Sequence, residues 1–253
     1  MKKYLLILVF IFSLFSNEEN LFAQSSQTIP IPNIGVNVGT SDNPEDLAVT
    51  LQLLLLLTIL SLAPSIIIMT TSFLRIIIVF NFLKTALGTQ QMPPNQLLSG
   101  VALFITFFVM TPTWNEFNEK ALQPYLDKKI TIEEAYTKGI EPISTFMLRN
   151  TRPEELKFFI QLADIAQPKN HKDLPIHVLI PAFVLSELRA GFIIGFFLFI
   201  PFVMVDMIVS SILMSMGMMM LPPMMISMPF KILLFVLVDG WNLVIGSLVR
   251  GIN

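Results

Sequence analysis

Met214-Ser-Met-Gly-Met-Met-Met-Leu-Pro-Pro-Met-Met-Ile-Ser-Met228 is the stretch on which the fold turns: eight of its fifteen residues are methionine, and none is charged. Three consecutive methionines cannot share one helix face. Gly217 before them and Pro222-Pro223 after them both favour departure from regular helix, since each proline disfavours αR in the residue preceding it. Apolar sequence continues on both sides, so the run reads as a projecting turn between two apolar helices. Non-helical backbone at membrane depth is tolerated only where protein buries it or where it lines a water-filled cavity. Methionine is apolar, unbranched and adaptable, so a collar of it closes a pore to water while deforming around varied side chains. Gap-filling in a helix core is the competing reading, and the Gly and Pro-Pro bracket favours the projecting loop.

Composition agrees with a membrane setting. Over 253 residues, 54% are hydrophobic and 13% charged, and the mean hydropathy is +0.71, outside the range of soluble domains. The net charge of −2 comes with no basic stripe to neutralise phosphates, so no nucleic acid is expected as partner. The absence of cysteine removes disulfides, thiolate metal sites and Cys nucleophiles together.

Five regions follow from the charge and hydropathy pattern. Residues 1–23 resemble a secretory signal peptide, with Lys2 and Lys3, an apolar run over 5–15 and a cleavage position after Ala23. Residues 24–46 form a polar linker. Residues 47–114 are a first apolar helical hairpin, 115–175 a charged and partly helical segment, and 176–253 a second apolar hairpin carrying the Met-rich loop. The expected class is therefore all-α, built from membrane-type helical hairpins. The charge-free stretch 47–74 would extend about 42 Å as one helix, longer than a hydrocarbon core of roughly 30 Å, and Pro64 supplies a kink. Arg75 and Lys84 border the polar turn at 89–96 and direct it to the cytoplasm. Thr151 and Pro153 signal the start of a helix in the charged segment.

In the second apolar block the longest charge-free stretch, 207–230, is broken by Gly217 and Pro222-Pro223, and the others are shorter than twenty residues. Glu187, Arg189, Asp206, Lys231 and Asp239 interrupt the block. At about 2.5–3.5 kcal/mol for each central Asp, Lys or Arg, lipid exposure of the set costs on the order of 10 kcal/mol. Buried ion pairs are expected instead. Glu187 and Arg189 are two residues apart and do not face one another on a helix, so their partners lie elsewhere in the chain or on another chain. Asp206 and Asp239 have the chemistry to relay protons, but structural pairing is the stronger reading. Gly191 and Gly195 have the spacing of a close helix contact.

Catalytic material is missing. His171 and His177 have no ligand-spaced carboxylates beside them, and the chain offers neither a Ser-His-acid set nor a phosphate-cradling loop. No catalytic residue, metal or cofactor is expected.

Several long strings also carry a resemblance. Phe73-Leu-Arg-Ile-Ile-Ile-Val-Phe80, Ala86-Leu-Gly-Thr-Gln-Gln-Met-Pro-Pro-Asn-Gln96, Leu185-Ser-Glu-Leu-Arg189, Val205-Asp206-Met207, the Met214 run, Pro229-Phe-Lys231 and Val238-Asp-Gly-Trp-Asn242 resemble, in order and spacing, the FliP family of flagellar type III export-gate proteins. Phe146-Met-Leu-Arg149 with Thr151-Arg152 extends the likeness, which covers about 47–249, while 24–46 carries little of it. The resemblance implies a pentamer that joins FliQ, FliR and then FlhB in the inner membrane at the flagellar basal body. It also implies a helical stack raised out of the ordinary bilayer plane, through which unfolded flagellar proteins are exported. The family's methionine constriction maps onto Met218, Met219 and Met220. Arg189 stands where Lys is more usual, a change that keeps the charge. The injectisome counterpart is the nearest alternative and generally lacks a signal peptide. A small-solute transporter is a more distant one, with four apolar passes being few for it.

Overall fold

The computed structural model describes residues 44–89, 92–165, 174–218 and 220–252, so the expected signal peptide, all but the last residues of the linker, His171 and Met219 lie outside the described residues. The described residues form helices and connecting turns with no strand, giving an all-α protein. In chain order the helices are α1 (Pro44–Thr70), α2 (Phe73–Ala86), α3 (Asn95–Phe117), α4 (Gln123–Leu126), α5 (Ile132–Asn150), α6 (Pro153–Leu162), α7 (Ile176–Ser215), α8 (Pro223–Leu237) and α9 (Gly240–Ile252). A π-helical turn, Asn118–Leu122, carries α3 into α4 without a break.

Helix α1 continues through Pro64 and stops at Thr70, and the chain leaves helix at Thr71 and Ser72. Proline inside an apolar helix is tolerated where hydroxyls and backbone adjustments satisfy the freed groups. Likewise, the boundary expected near residue 114 falls inside a helix, because α3 and its π-helical extension run into the charged segment.

The spine of the fold is α2 packed along α7. Arg75 meets Glu187, Ile78 faces Gly191 and Phe82 faces Gly195. The sequence offset between partners is nearly constant, so the two helices run parallel. Gly191 and Gly195 make this approach possible: a methyl built on Gly191 would lie 3.0 Å from Ile78, and one on Gly195 only 2.5 Å from the Phe82 ring. Helix α6 also lies parallel to α7, through Arg152 to Ser186 and Glu155 to Arg189. Around this spine, Ile76, Val79 and Phe80 of α2, Ala102 and Val109 of α3, Phe146 and Met147 of α5, Phe183 of α7 and Leu248 of α9 form one buried cluster. Beyond it Leu83, Ala86, Phe202 and Phe235 join the end of α2 to α7 and α8.

Helix α7 has 40 residues, about 60 Å at 1.5 Å per residue. Its second half pairs antiparallel with α8, which meets α9 at a 62° bend. Asp239, with φ of 51°, occupies the corner. Three helical spans, Thr50–Thr70, Asn95–Leu126 and Ile176–Ser215, are long and apolar enough to cross a membrane, and the bent pair could make a fourth.

Candidate functional site

The Met-rich run leaves helix at its glycine. Helix α7 ends at Ser215, and Gly217 adopts φ of 74°, where a side chain would be strained. The Met218 amide then donates to the Leu213 carbonyl and the Gly217 amide to the Met214 carbonyl, the paired bonds that close a helix on a left-handed glycine. Pro223 opens α8 at a position where its missing N–H leaves no intrahelical bond unmade. Between these stops the Met218 and Met220 side chains are left uncovered by the chain's own core. Met220 is 99% exposed and Met218 41% exposed. Met214, Met216, Met224 and Met225 are also exposed. Within this chain these side chains do not fill a core. Met218 and Met220 of the expected constriction therefore sit on the turn, and Met219 lies between them outside the described residues.

Beneath the turn, α8 is fastened to two other helices. Lys231, 2% exposed, donates to Asp206 Oδ2 at 2.6 Å and to the Ala86 carbonyl at 3.0 Å. The Ala86 carbonyl belongs to the last turn of α2, where carbonyls have no intrahelical partner and a cation is favoured by the helix dipole. Ser227 donates to the other Asp206 oxygen. One ammonium thus closes α7 on α8 and caps α2.

A second charged node lies nearer the start of α7. Arg75 donates from Nε to Glu187 Oε2 at 2.9 Å, from Nη2 to Glu187 Oε1, and from Nη1 to the Gly251 carbonyl at 2.9 Å. Both side chains are buried. The fork satisfies the carboxylate with two parallel bonds. Arg189 turns the other way and donates to Glu155 Oε1 at 2.7 Å. That pair is half-open, with the Arg189 side chain 52% exposed and the Glu155 side chain 6%. The Arg189 hydrogen bond holds the Glu155 carboxyl below the usual carboxylate range, against the opposing effect of its burial.

Within this chain Asp239 is in no ion pair among the described residues: it is exposed at the corner before α9, and its carboxylate accepts from the Asn242 side chain at 3.2 Å. Arg75 and Glu155 are the partners that the sequence does not identify. Arg75 interrupts an otherwise apolar stretch, which was the available signal, whereas Glu155 sits among other charges and gave none. His177 is exposed on α7, and no group of three or more His, Asp and Glu residues comes together among the described residues.

Comparison with known proteins covers both nodes and the turn. The model of the FliP family matches residues 56–248. The flagellar biosynthetic protein FliP of Bacillus subtilis is 55% identical over 215 residues, which is 85% of this chain and 97% of that protein. The protein of the same name from Treponema denticola is 43% identical across 98% of both chains. That from Caulobacter vibrioides is 49% identical over 86% of this chain and 81% of its own length.

Proposed function

The chain belongs to the FliP family, and from that premise we propose that it is a core subunit of the flagellar export apparatus, forming with FliQ and FliR the inner-membrane channel for unfolded flagellar proteins. In this reading several copies, five by resemblance to the family, join these partners and FlhB at the basal body. The subunit supplies a conduit and no catalysis, so the energy for export comes from other components.

The observation that carries the reading is the exposed methionine turn on a stem whose two charges, Asp206 and Lys231, are paired with each other. A ring of such turns makes a flexible apolar constriction. Small pores bounded by apolar side chains exclude water by dewetting, and unbranched thioethers reshape around passing side chains without losing that property. The long apolar face of each helix outside the core is then shared between neighbouring subunits and lipid. The cleaved signal peptide belongs to the same reading.

The test is copurification and motility. A deletion strain should lose swimming and regain it from a plasmid copy, and tagged protein should bring down FliQ and FliR. The Met218→Ala, Met219→Ala, Met220→Ala variant should still copurify and should raise ion leakage, since shorter side chains widen the constriction. Normal motility in the deletion with loss of effector secretion would assign the chain to an injectisome. A homo-oligomer without small partners would assign it to solute transport.

A further inference from the structure

Among the described residues of the second apolar block, Asp239 and Arg250 are the charges that meet no opposite charge. Arg250 is accounted for within its own helix: it donates to the Gly246 carbonyl at 3.0 Å, in the last turn, where the helix dipole favours a cation. Asp239 has only the neutral Asn242 amide at 3.2 Å. Its φ of 51° requires a residue that tolerates the left-handed region, but glycine or asparagine would serve there without a charge. Its neighbours are apolar and uncovered, since Val236, Leu237, Val238, Trp241 and Leu243 are all exposed. The corner also lies well inside the length of the helices around it. Lys231 meets Ala86 at one end of α2, Trp241 packs edge-on against Phe80, and Gly251 accepts from Arg75 near the other end, so α8 and α9 follow the whole of α2 as one bent apolar pass.

A carboxylate at membrane depth persists where a cation or a water-filled cavity meets it. We propose that the α8–α9 corner is a docking site for an apolar helix of a different membrane subunit, which brings a lysine or arginine side chain to the Asp239 carboxylate. A second copy of this chain has no cation free at that height. Arg75, Lys231 and Arg189 are engaged by Glu187, Asp206 and Glu155, and Lys84 ties α2 to α3 through the Asn95 side chain at 2.7 Å. Arg250 stands eleven residues farther along the chain, about 16 Å at 1.5 Å per residue, and copies related by rotation about the membrane normal keep their heights. The other described cations belong to the charged segment. The partner is therefore heterologous, predominantly apolar and basic at one position. Around the pair, the exposed Leu237, Val238 and Leu243 form the rim that keeps water out.

This inference rests on the reading of the chain as one subunit of a mixed membrane complex, and the experiment separates the two. The probe is a photoactivatable diazirine amino acid at Leu237, 74% exposed beside an intact Asp239, carried in the purified complex, with Leu57 on α1 as the comparison position. Irradiation should join position 237 to a chain other than this one. Mass analysis of the adduct should place the bond in an apolar segment within a helical turn or two of a lysine or arginine. Asp239→Asn keeps the left-handed backbone and an acceptor for Asn242, yet should lower recovery of that subunit severalfold while two differently tagged copies of this chain still capture each other as in wild type. Asp239→Lys combined with an acidic residue at the identified basic position should restore recovery. Equal recovery with Asp239→Asn overturns the proposal, as do adducts of position 237 with lipid or a second copy alone. Because the adduct forms with Asp239 in place, it decides the matter even where the asparagine variant fails to accumulate. A wild-type complex that contains no other membrane subunit overturns the underlying reading. A complex that contains small subunits, none of them joined to position 237, overturns this inference alone.

Discussion

Helices α1 and α7 are almost equally apolar, yet they have opposite roles in the chain. No residue of α1 over 50–70 is buried, and its hydroxyls turn back on the helix itself, Thr58 to Leu54 and Ser61 to Thr58. It shows the same oily surface in every direction. Helix α7 carries Glu187, Arg189 and Asp206, each tied to a different helix. The difference teaches that hydropathy measures tolerance of an apolar surrounding, while charges inside an apolar helix record which helices it must meet.

The comparison breaks most severely if a charge on α7 is left without its partner. Glu187→Ala should destabilise by about 3–5 kcal/mol because Arg75 stays buried alone, and Lys231→Ala should do comparable harm by stranding Asp206 and the Ala86 carbonyl. Both should reduce copurified complex and lower its melting temperature, whereas a combined Arg75→Met, Glu187→Leu replacement should retain most of the stability. Normal assembly of both single variants would show that the pairs are dispensable.

Helix α1 is tested in the reverse sense. Leu57→Arg places a charge at 59% exposure with no partner helix, and should oppose membrane insertion by about 2.5–3.5 kcal/mol. Alkaline extraction of membranes should release more of this variant than of wild type. Equal retention would mean that α1 is enclosed by protein or water at that position.

A smaller effect is expected where α2 touches α7. Gly195→Ala must move the Phe82 ring, and overpacking of this kind costs about 1–3 kcal/mol. Gly100→Ala on α3 meets no atom within 4 Å and should be neutral or stabilising by up to about 1 kcal/mol through helix propensity. Thermal melts of the two variants compare them directly, and equal melting temperatures would remove the close contact from the account of α7.

The smallest effect concerns the half-open pair. Because folding lowers the Glu155 pKa, its pairing with Arg189 contributes stability above the unfolded glutamate value of about 4.3 and loses it as pH falls through the lower folded value. Melting temperature should therefore drop more steeply on acidification in the wild type than in Glu155→Gln. Parallel curves would leave no linkage at this residue.

Much of the fold was legible in the sequence, for reasons that differ by element. The all-α class followed from hydropathy. The helix stop at the methionine run followed from Gly217 and Pro222-Pro223, and the α6 start from Pro153, since glycine and proline act through local sterics. The partners were not legible. Arg75 lies 112 residues from Glu187, and no local rule selects one guanidinium among several across that distance. Nor can sequence spacing reveal that Lys231 caps the end of α2, because the acceptor is a backbone carbonyl that every residue possesses. Asp239 finds no cation within the chain, because it sits at the bend before α9 and not on a packed helix face, and sequence spacing does not show that bend.

Lys231 has a mechanical consequence. Its ammonium joins α7, α8 and the end of α2 about two helical turns below the methionine turn, so the two legs of the hairpin cannot splay there without breaking a bond that also holds α2. The stem is stiff and the tip is soft.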